Sequence, residues 1–243
     1  MRIGIISDIH ANLEALTTVI ETLGRLSLNR TVCLGDLVGY GANPEEAVRL
    51  VRPLVDFTIM GNHDAAVVGQ MDTTYYYDAA RDVIDWTRAQ LSAETLKYLA
   101  SLPYFRVEDE VCYVHGDPVA PEQFNYIYTL DHAWALQRHY ANLRRLTFVG
   151  HSHLRRVYEL SERDAIELPV KDFEARPDRK YLIAIGSVGQ PRDYDPKAAF
   201  AVYDTERSVV EFHRVEYDVA TAADKILKAG LSDYFANRLF SGA

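Results

Sequence analysis

Side chains able to bind metal ions recur at five places in this sequence, each directly after a short apolar run. Imidazole nitrogens with carboxylate and amide oxygens, and no thiolate, favour Mn, Fe, Zn, Co or Ni over softer metals. In open α/β sheets, ligands bind in the crevice beyond the carboxyl ends of the strands, so these side chains should converge there. The candidate metal ligands are Asp8, His10, Asp36, Asn62, His115, His151 and His153.

Asp8 and His10 begin the series, two residues apart at the end of the apolar run 1–6. Side chains two apart in extended backbone point to the same face, which would make this pair two ligands of one site. Alone, the pair also fits a turn aspartate followed by a surface histidine, and Asp36 also fits a plain turn. For Asp64 we accept the structural role of a helix cap. The repetition at five successive strand ends favours a metal site over these alternatives.

The number of candidate ligands indicates how many ions they hold. Seven ligands exceed what one catalytic ion needs but suit two ions that share a carboxylate, and Asp36, alone on its strand end, is the predicted bridge. Two such cations clamp the attacking and leaving oxygens of a phosphoryl displacement, and the bridging water becomes a hydroxide nucleophile near neutral pH. A single-metal hydrolase is the alternative, but it would leave Asn62 and His115 without a role.

Alternating apolar runs and amphipathic stretches predict the elements that carry these side chains. The βαβαβ opening implies parallel strands with helices packed on the sheet, and the β-rich last third predicts an antiparallel second sheet. The predicted strands are 1–6, 31–34, 57–60, 104–107, 111–114 and 146–149, with β-like runs at 155–160, 165–168, 180–185, 198–204 and 208–215. The predicted helices are 13–24 after the cap Asn12, 44–52 before Pro53, 76–101 with a second start at Ser92, and 219–229.

Composition limits the class of protein. The 243 residues, 48% hydrophobic and 25% charged, are typical of a globular chain, and we expect one domain over residues 1–243. A net charge of −9 argues against general nucleic-acid or anionic-membrane binding. Cys33 and Cys112 lie in apolar runs, which indicates buried, reduced thiols. Because no stretch approaches the ~18 apolar residues of a membrane span, we expect a soluble cytoplasmic protein.

The five motifs resemble the five-block signature of the calcineurin-like metallophosphoesterases. The motifs are Asp8-Ile9-His10, Gly35-Asp36, Gly61-Asn62-His63-Asp64, His115-Gly116 and Gly150-His151-Ser152-His153. Segments 35–41 and 186–192 are similar to the small single-domain prokaryotic phosphodiesterase-like branch of that superfamily. The resemblance implies an α/β fold: a four-layer α/β/β/α sandwich of two facing mixed sheets.

The resemblance also implies how the ligands divide between two divalent ions. The first ion would be held by Asp8, His10, Asp36 and His153, and the second by Asp36, Asn62, His115 and His151. Manganese is the ion we expect, with Fe, Zn, Co or Ni as alternatives.

Two further side chains are candidates for contact with the substrate. His63 directly follows the ligand Asn62, and our hypothesis is that it acts as general acid toward the leaving oxygen or holds the phosphoryl oxygens. Protein phosphatases of the superfamily carry Asp and Arg shortly after the bridging Asp, where this sequence has Gly39 and Tyr40. This departure argues against a phosphoprotein substrate. By segment resemblance Arg192 is the substitute phosphate ligand; an exposed loop arginine is the alternative.

Two aromatic clusters lie in connections that could border the crevice, at residues 75–77 and 124–128. Aromatic faces there would stack a nucleobase and favour nucleotide phosphodiesters or dinucleoside polyphosphates. The alternative is that they are core or subunit contacts, which leaves a homo-oligomer open.

The sequence therefore predicts a metal-dependent phosphodiesterase or phosphatase acting on a small phosphate ester, with nucleotides among the candidates. The alternatives are a dinucleoside polyphosphate hydrolase, a serine/threonine-type protein phosphatase, and a non-catalytic scaffold on the same fold. A scaffold would be marked by lost ligands, and none of the seven is missing.

Overall fold

The computed structural model describes residues 1–74 and 78–243. The strands are β1 Arg2–Ile6, β2 Arg30–Cys33, β3 Phe105–Glu108, β4 Val111–Val114, β5 Leu146–Val149, β6 Arg155–Leu160, β7 Ala165–Leu168, β8 Phe173–Glu174, β9 Lys180–Ile185, β10 Ala198–Asp204 and β11 Val209–Val215. The helices are α1 Leu13–Arg25, α2 Pro44–Leu54, α3 Asn62–Val67, α4 Asp78–Gln90, α5 Ala93–Ala100, α6 Leu130–Gln137, α7 Val219–Lys228 and α8 Asp233–Ser241. Residues 75–77, the first predicted aromatic cluster, lie outside the described residues.

The strands form two mixed sheets. The first has the order β2-β1-β10-β11-β8, in which β1 and β2 are parallel and the other pairs are antiparallel. The second has the order β3-β4-β5-β9-β6-β7, with β4, β5 and β9 parallel. Parallel strands place their carboxyl ends at one edge, so the loops after β1 and β2, and those after β4, β5 and β9, can meet there.

Strand alternation produces the four layers. In β1, Ile3 and Ile5 pack with inward-facing residues of the second sheet, whereas Ile6 packs against helices on the outer face. In β9, Ile183 faces the space between the sheets and Leu182 faces α6 on the other side. The predicted α/β/β/α sandwich is confirmed: helices, two facing sheets, helices.

The structure corrects three local expectations. In the described part of the chain, residues 57–60 make a single parallel bridge, from Cys33 to Thr58, because the chain turns at Gly35 (φ 97°) and the Gly61 N–H donates to Asp64 Oδ2 instead of continuing the ladder. The helix predicted to stop before Pro53 continues to Leu54. The last third does not form a sheet of its own, since β10 and β11 join the first sheet beside β1.

The observed helix starts agree with the capping residues that the sequence predicts. The Asn12 side chain accepts a hydrogen bond from the Ala15 backbone at the start of α1, and Ser92 accepts one from Thr95 at the start of α5. Among the described residues no helix is both long and apolar enough to cross a membrane. Cys33 and Cys112 are both free and buried.

Candidate metal centre

The predicted ligands sit on tight turns at the shared edge of the two sheets. Five of the seven have left-handed backbone conformations: Asp8 (φ 54°), His10 (φ 48°), Asp36 (φ 52°), His151 (φ 63°) and His153 (φ 59°). The expectation that Asp8 and His10 follow one another in extended backbone is therefore wrong. β1 ends at Ile6, and the chain then turns so that the His10 N–H donates to the Asp36 carbonyl. Non-glycine residues in this conformation are strained and cluster at functional sites.

The turns bring the ligand atoms into two adjoining groups, in each of which the candidate atoms lie within 4.8 Å of one another. The first group is Asp8, His10, Asp36 and His153, and the second is Asp36, His115 and His151. The Oδ1 atom of Asn62 lies 3.3 Å from the Nε2 atom of His115. All seven side chains are buried. The structure thus brings together every candidate ligand, in two groups that share Asp36.

Backbone carbonyls fix which nitrogen each imidazole presents. The Nδ1 atoms of His10, His115 and His153 lie 3.0, 2.7 and 2.5 Å from the carbonyl oxygens of Val38, Leu34 and Gln190. A carbonyl oxygen only accepts hydrogen bonds, so each Nδ1 carries a proton and each ring turns its Nε2 atom toward the centre. This second layer of contacts is the usual way in which metal-binding imidazoles are oriented.

The lone pairs face one another without donors between them. The Nε2 atoms of His10 and His153 are 3.0 Å apart, although neither of these neutral rings carries a proton there. Asp36 Oδ2 and His151 Nε2 are buried without a hydrogen-bond partner among the described residues. Buried acceptors without donors cost free energy, and a divalent cation would satisfy all of them at once. The side chains present therefore fit metal ions.

Protons partly compensate the negative charge of the centre. Burial would lower the pKa of His115, but the neighbouring Asp36 carboxylate raises it to about 9. Burial raises the pKa of Asp8 to about 7. Burial would also raise the pKa of Asp36, but His115 and His63 hold it well below its ordinary value. Protons on His115 and Asp8 therefore occupy the site where cations would bind, and both would have to leave when a cation binds.

His63 lies directly above this centre. Its backbone N–H donates to Asp36 Oδ1 at 2.8 Å, and its ring is 4.4 Å from the Tyr40 ring and 4.9 Å from the His10 ring. Burial lowers its pKa to about 4. A Cβ atom on Gly39 would stand 2.4 Å from His63 Nδ1. An aspartate therefore cannot occupy position 39 unless His63 moves, which explains the departure from the protein-phosphatase pattern.

The loop 186–192 supports the centre from the second sheet. The backbone N–H groups of Val188 and Gly189 donate to the Ser7 and Asp8 carbonyls at 3.0 and 2.8 Å. The Gln190 carbonyl in the same loop accepts from His153. This segment, which the sequence analysis singled out for its resemblance to a family branch, thus holds the turn that carries Asp8.

Arg192 lies beside the centre rather than out in solvent. It is half-buried, its Nη2 donates to Gln190 Oε1 at 2.8 Å, and its Cζ lies 5.6 Å from the Tyr40 ring centroid. Burial is the main cause that lowers the pKa of His10 and His63, and Asp36 opposes it. The positive charge of Arg192 lowers both values further. A guanidinium in this position can bind an anion that approaches the centre.

One residue of the site was not singled out from the sequence. The Tyr126 ring stacks on the His151 ring with centroids 3.8 Å apart and planes 13° apart. Burial raises the pKa of the Tyr126 hydroxyl, and the positive charge of the nearby Arg192 opposes that rise. The only sequence signal was its membership of the aromatic cluster 124–128, which follows the strand end at His115.

A sequence model of calcineurin-like phosphoesterases matches residues 1–209. The chain belongs to this family. Membership agrees with the two-sheet fold and with the buried Asp/His groups at the edge where the strands end.

Similar proteins span the whole chain. An uncharacterized protein of Methanocaldococcus jannaschii is 39% identical over 99% of this chain and 98% of its own length. The crystal structure of a metallophosphoesterase from Sphaerobacter thermophilus is 37% identical, with a TM-score of 0.86 over 100% of this chain and 99% of that one. A hypothetical protein from Pyrococcus horikoshii, at 22% identity, shares the fold with a TM-score of 0.80 over 100% and 98%.

Proposed function

We propose that this family member is a dinuclear metal-dependent phosphoesterase that hydrolyses small phosphodiesters. The observation that carries the proposal is the pair of buried, acceptor-lined groups that share Asp36 and contain orphaned ligand atoms. A structural cluster would pair these acceptors with donors, whereas a metal site leaves them for the ions.

The ligand sets follow the two groups. Asp8, His10, Asp36 and His153 would hold one ion, and Asp36, Asn62, His115 and His151 the other. Bound divalent ions would supply a water-derived nucleophile at neutral pH and stabilise charge on the phosphoryl oxygens. Manganese suits this mixture of imidazole, carboxylate and amide ligands, as do Fe, Zn, Co and Ni.

The chain's own residues would orient the ester and handle the leaving group. His63 is held at the shared Asp36 by its backbone N–H, and its imidazole, neutral because burial lowers its pKa to about 4, would donate an N–H hydrogen bond to the leaving or phosphoryl oxygen. Arg192, from the opposite loop, binds a non-bridging oxygen and fixes the ester's orientation. A phosphodiester carries a single negative charge, so the one guanidinium of Arg192 matches it without a second cation at this position.

The residues around His63 favour a small substrate over a phosphoprotein. Gly39 and Tyr40 replace the acidic and basic pair of the protein phosphatases, and the Tyr40 ring packs between His63 and Phe235 of α8. Tyr126 packs on the predicted ligand His151, and Arg192 lies over the Tyr40 ring, so large side chains surround the centre. A protein phosphatase and a dinucleoside polyphosphate hydrolase remain the competing activities.

The test is turnover by chelator-treated protein reconstituted with Mn²⁺, with bis-p-nitrophenyl phosphate and p-nitrophenyl phosphate assayed in parallel. We expect metal-dependent hydrolysis with the diester clearly preferred. Asp36→Asn should abolish it, whereas Asp56→Asn, a carboxylate removed at a half-exposed site, should not. A preference for the monoester would replace the diesterase assignment by a monoesterase. No turnover with two ions bound would contradict the proposal.

A further inference from the structure

A cleft of 520 Å³ opens beside the candidate metal centre. It is formed by the connection between β4 and β5, which includes α6. Its lining includes Asp117, Asn125, Tyr126, Tyr128, His132 and Arg138. None of the seven candidate ligands lines it, so the cleft is a neighbouring space rather than part of the metal centre.

Tyr126 connects the cleft with the centre. One face of its ring is covered by His151 at 3.8 Å, yet the residue remains 45% exposed. That exposure must therefore come from the opposite face and the ring edge, which border the cleft. A planar group stacked on this free face would lie one ring beyond the predicted ligand His151.

Tyr128 adds a second wall. Its ring is perpendicular to that of Tyr126, at 81° with centroids 5.8 Å apart, and it is 44% exposed. Two large aromatic side chains so exposed do not contribute to the core. A flat ring in this corner would stack on Tyr126 and meet Tyr128 edge to face, the two arrangements that aromatic pairs prefer.

Polar groups at the margin suit a heteroaromatic ring that carries a phosphate. His132 Nδ1 accepts from the Tyr128 backbone N–H at 3.4 Å, which leaves Nε2 as the donor of the neutral ring. Arg138 also lines the cleft and offers a positive charge. Asp117, whose Oδ1 accepts from Val119, is the one carboxylate of the lining and can accept from an exocyclic amino group.

We propose that this cleft binds the nucleobase of a nucleotide whose phosphate lies at the metal centre. The inference rests on the proposed function and extends it to a substrate class, the nucleoside phosphodiesters. The ribose would span the distance from the Tyr126 face to the centre. A long polynucleotide is disfavoured by the net charge of −9.

The test compares two ligands that differ only in the base, adenosine 5′-monophosphate and ribose 5-phosphate, by calorimetric titration of the Mn²⁺-reconstituted protein. We expect the nucleotide to bind about tenfold more tightly, the usual gain from stacking one base on aromatic rings. Tyr128→Leu, which removes a ring that contacts Tyr126 and His132 but no candidate ligand, should reduce this preference. Tyr234→Leu, at a similarly exposed tyrosine of α8, should leave it unchanged.

The outcomes separate the cleft from the phosphoesterase activity. Equal binding of the two phosphates by a protein that hydrolyses bis-p-nitrophenyl phosphate would overturn the cleft assignment and leave the proposed function standing. A nucleotide preference that Tyr128→Leu does not alter would also overturn it, because the base would then bind elsewhere. A preference lost in Tyr128→Leu, in a protein without diesterase activity, would support the cleft and contradict the proposed function.

Discussion

The chemistry proposed for His63 depends on its position rather than on metal binding. Its side chain is absent from both ligand groups, and its backbone N–H, not its ring, bonds to Asp36. We expect His63→Ala to lower turnover by ~10²–10⁴-fold while both ions stay bound, because only positioned proton or hydrogen-bond donation is lost. Kinetics together with metal analysis of the same samples would measure this. His153→Ala, which removes a predicted ligand, should instead lose metal. Metal loss from His63→Ala would refute the assignment.

Gly39 is predicted to act through His63. Its φ is +88°, and a Cβ atom there would meet His63 Nδ1 at 2.4 Å, so Gly39→Ala must displace the imidazole. A displacement on the order of 1 Å is enough to reduce turnover by about 10²-fold. Gly230→Ala is the matched control, since Gly230 has a similar φ of +73° but open space where the Cβ would stand.

Comparison of these two glycine variants distinguishes backbone strain from the steric effect on His63. Both should lose stability because both force alanine into the left-handed region, and Gly39→Ala should lose more because its Cβ also meets His63. Only Gly39→Ala should lose activity in a steady-state assay on the diester. Equal activity of the two variants would mean that the His63 position does not matter for turnover.

At the scale of elements, the sequence predicted strands correctly where a candidate metal ligand follows a regular strand. Apolar runs that end at Asp8, His115 and His151 are short, buried and flanked by turn residues, and the structure has β1, β4 and β5 there. Caps such as Asn12 and Ser92 place helix starts through local hydrogen bonds, which a sequence can reveal.

Elements that depend on distant partners were less predictable. Residues 57–60 have the composition of a strand, but their partner β2 ends at Cys33 and turns away at Gly35 (φ 97°), which the pattern of 57–60 itself does not show. Neither could the pattern show that β10 would pair with β1 rather than remain in a separate sheet. The left-handed backbone at Asp8 and His10 was missed for a similar reason, since the neighbouring turn at Asp36 imposes it. Non-local pairing, not propensity, decided these cases.

α8, which was not predicted, reaches the site through one aromatic contact. Phe235 is fully buried and lies 4.9 Å from the Tyr40 ring, which in turn contacts His63. We expect Phe235→Ala to lower the free energy of unfolding by about 3–5 kcal/mol, because it leaves a cavity beneath Tyr40. Phe240→Ala, at a 56% exposed position of the same helix, should cost far less. Urea denaturation of both variants measures the difference, and equal costs would show that α8 does not pack as described.

At the scale of the whole molecule, the candidate centre joins the two sheets. Asp8 and Asp36 follow strands of the first sheet, and His115 and His151 follow strands of the second. Ions held by both sets would add a connection between layers that also meet through apolar packing and the Arg30–Glu108 ion pair. Mn²⁺ at about 100 times the dissociation constant of each site should therefore add about 2.7 kcal/mol per ion to the stability of the fold.

This stabilisation by metal should change with pH, and the pKa values of His115 and Asp8 decide whether it rises or falls. The folded pKa of His115 is raised to about 9, so its contribution to the metal-free fold is present below its ordinary pKa of 6.5 and lost as the pH rises toward 9. The pKa of Asp8 is raised to about 7, which gives the same sign at lower pH. Both protons must leave when an ion binds, so metal affinity increases as the metal-free fold weakens.

We therefore expect the difference in melting temperature between Mn²⁺-loaded and chelator-treated protein to widen between about pH 6 and about pH 8.5. Calorimetric titration in buffers of different ionisation enthalpy should detect proton release at the low end of this range and less at the high end. His115→Asn removes both the group that titrates highest and a predicted ligand, so it should flatten the upper half of the dependence and also lose one ion. A difference that narrows with rising pH would mean that the protons on His115 and Asp8 do not compete with the ions, and the site would then hold its metal, if any, through other side chains.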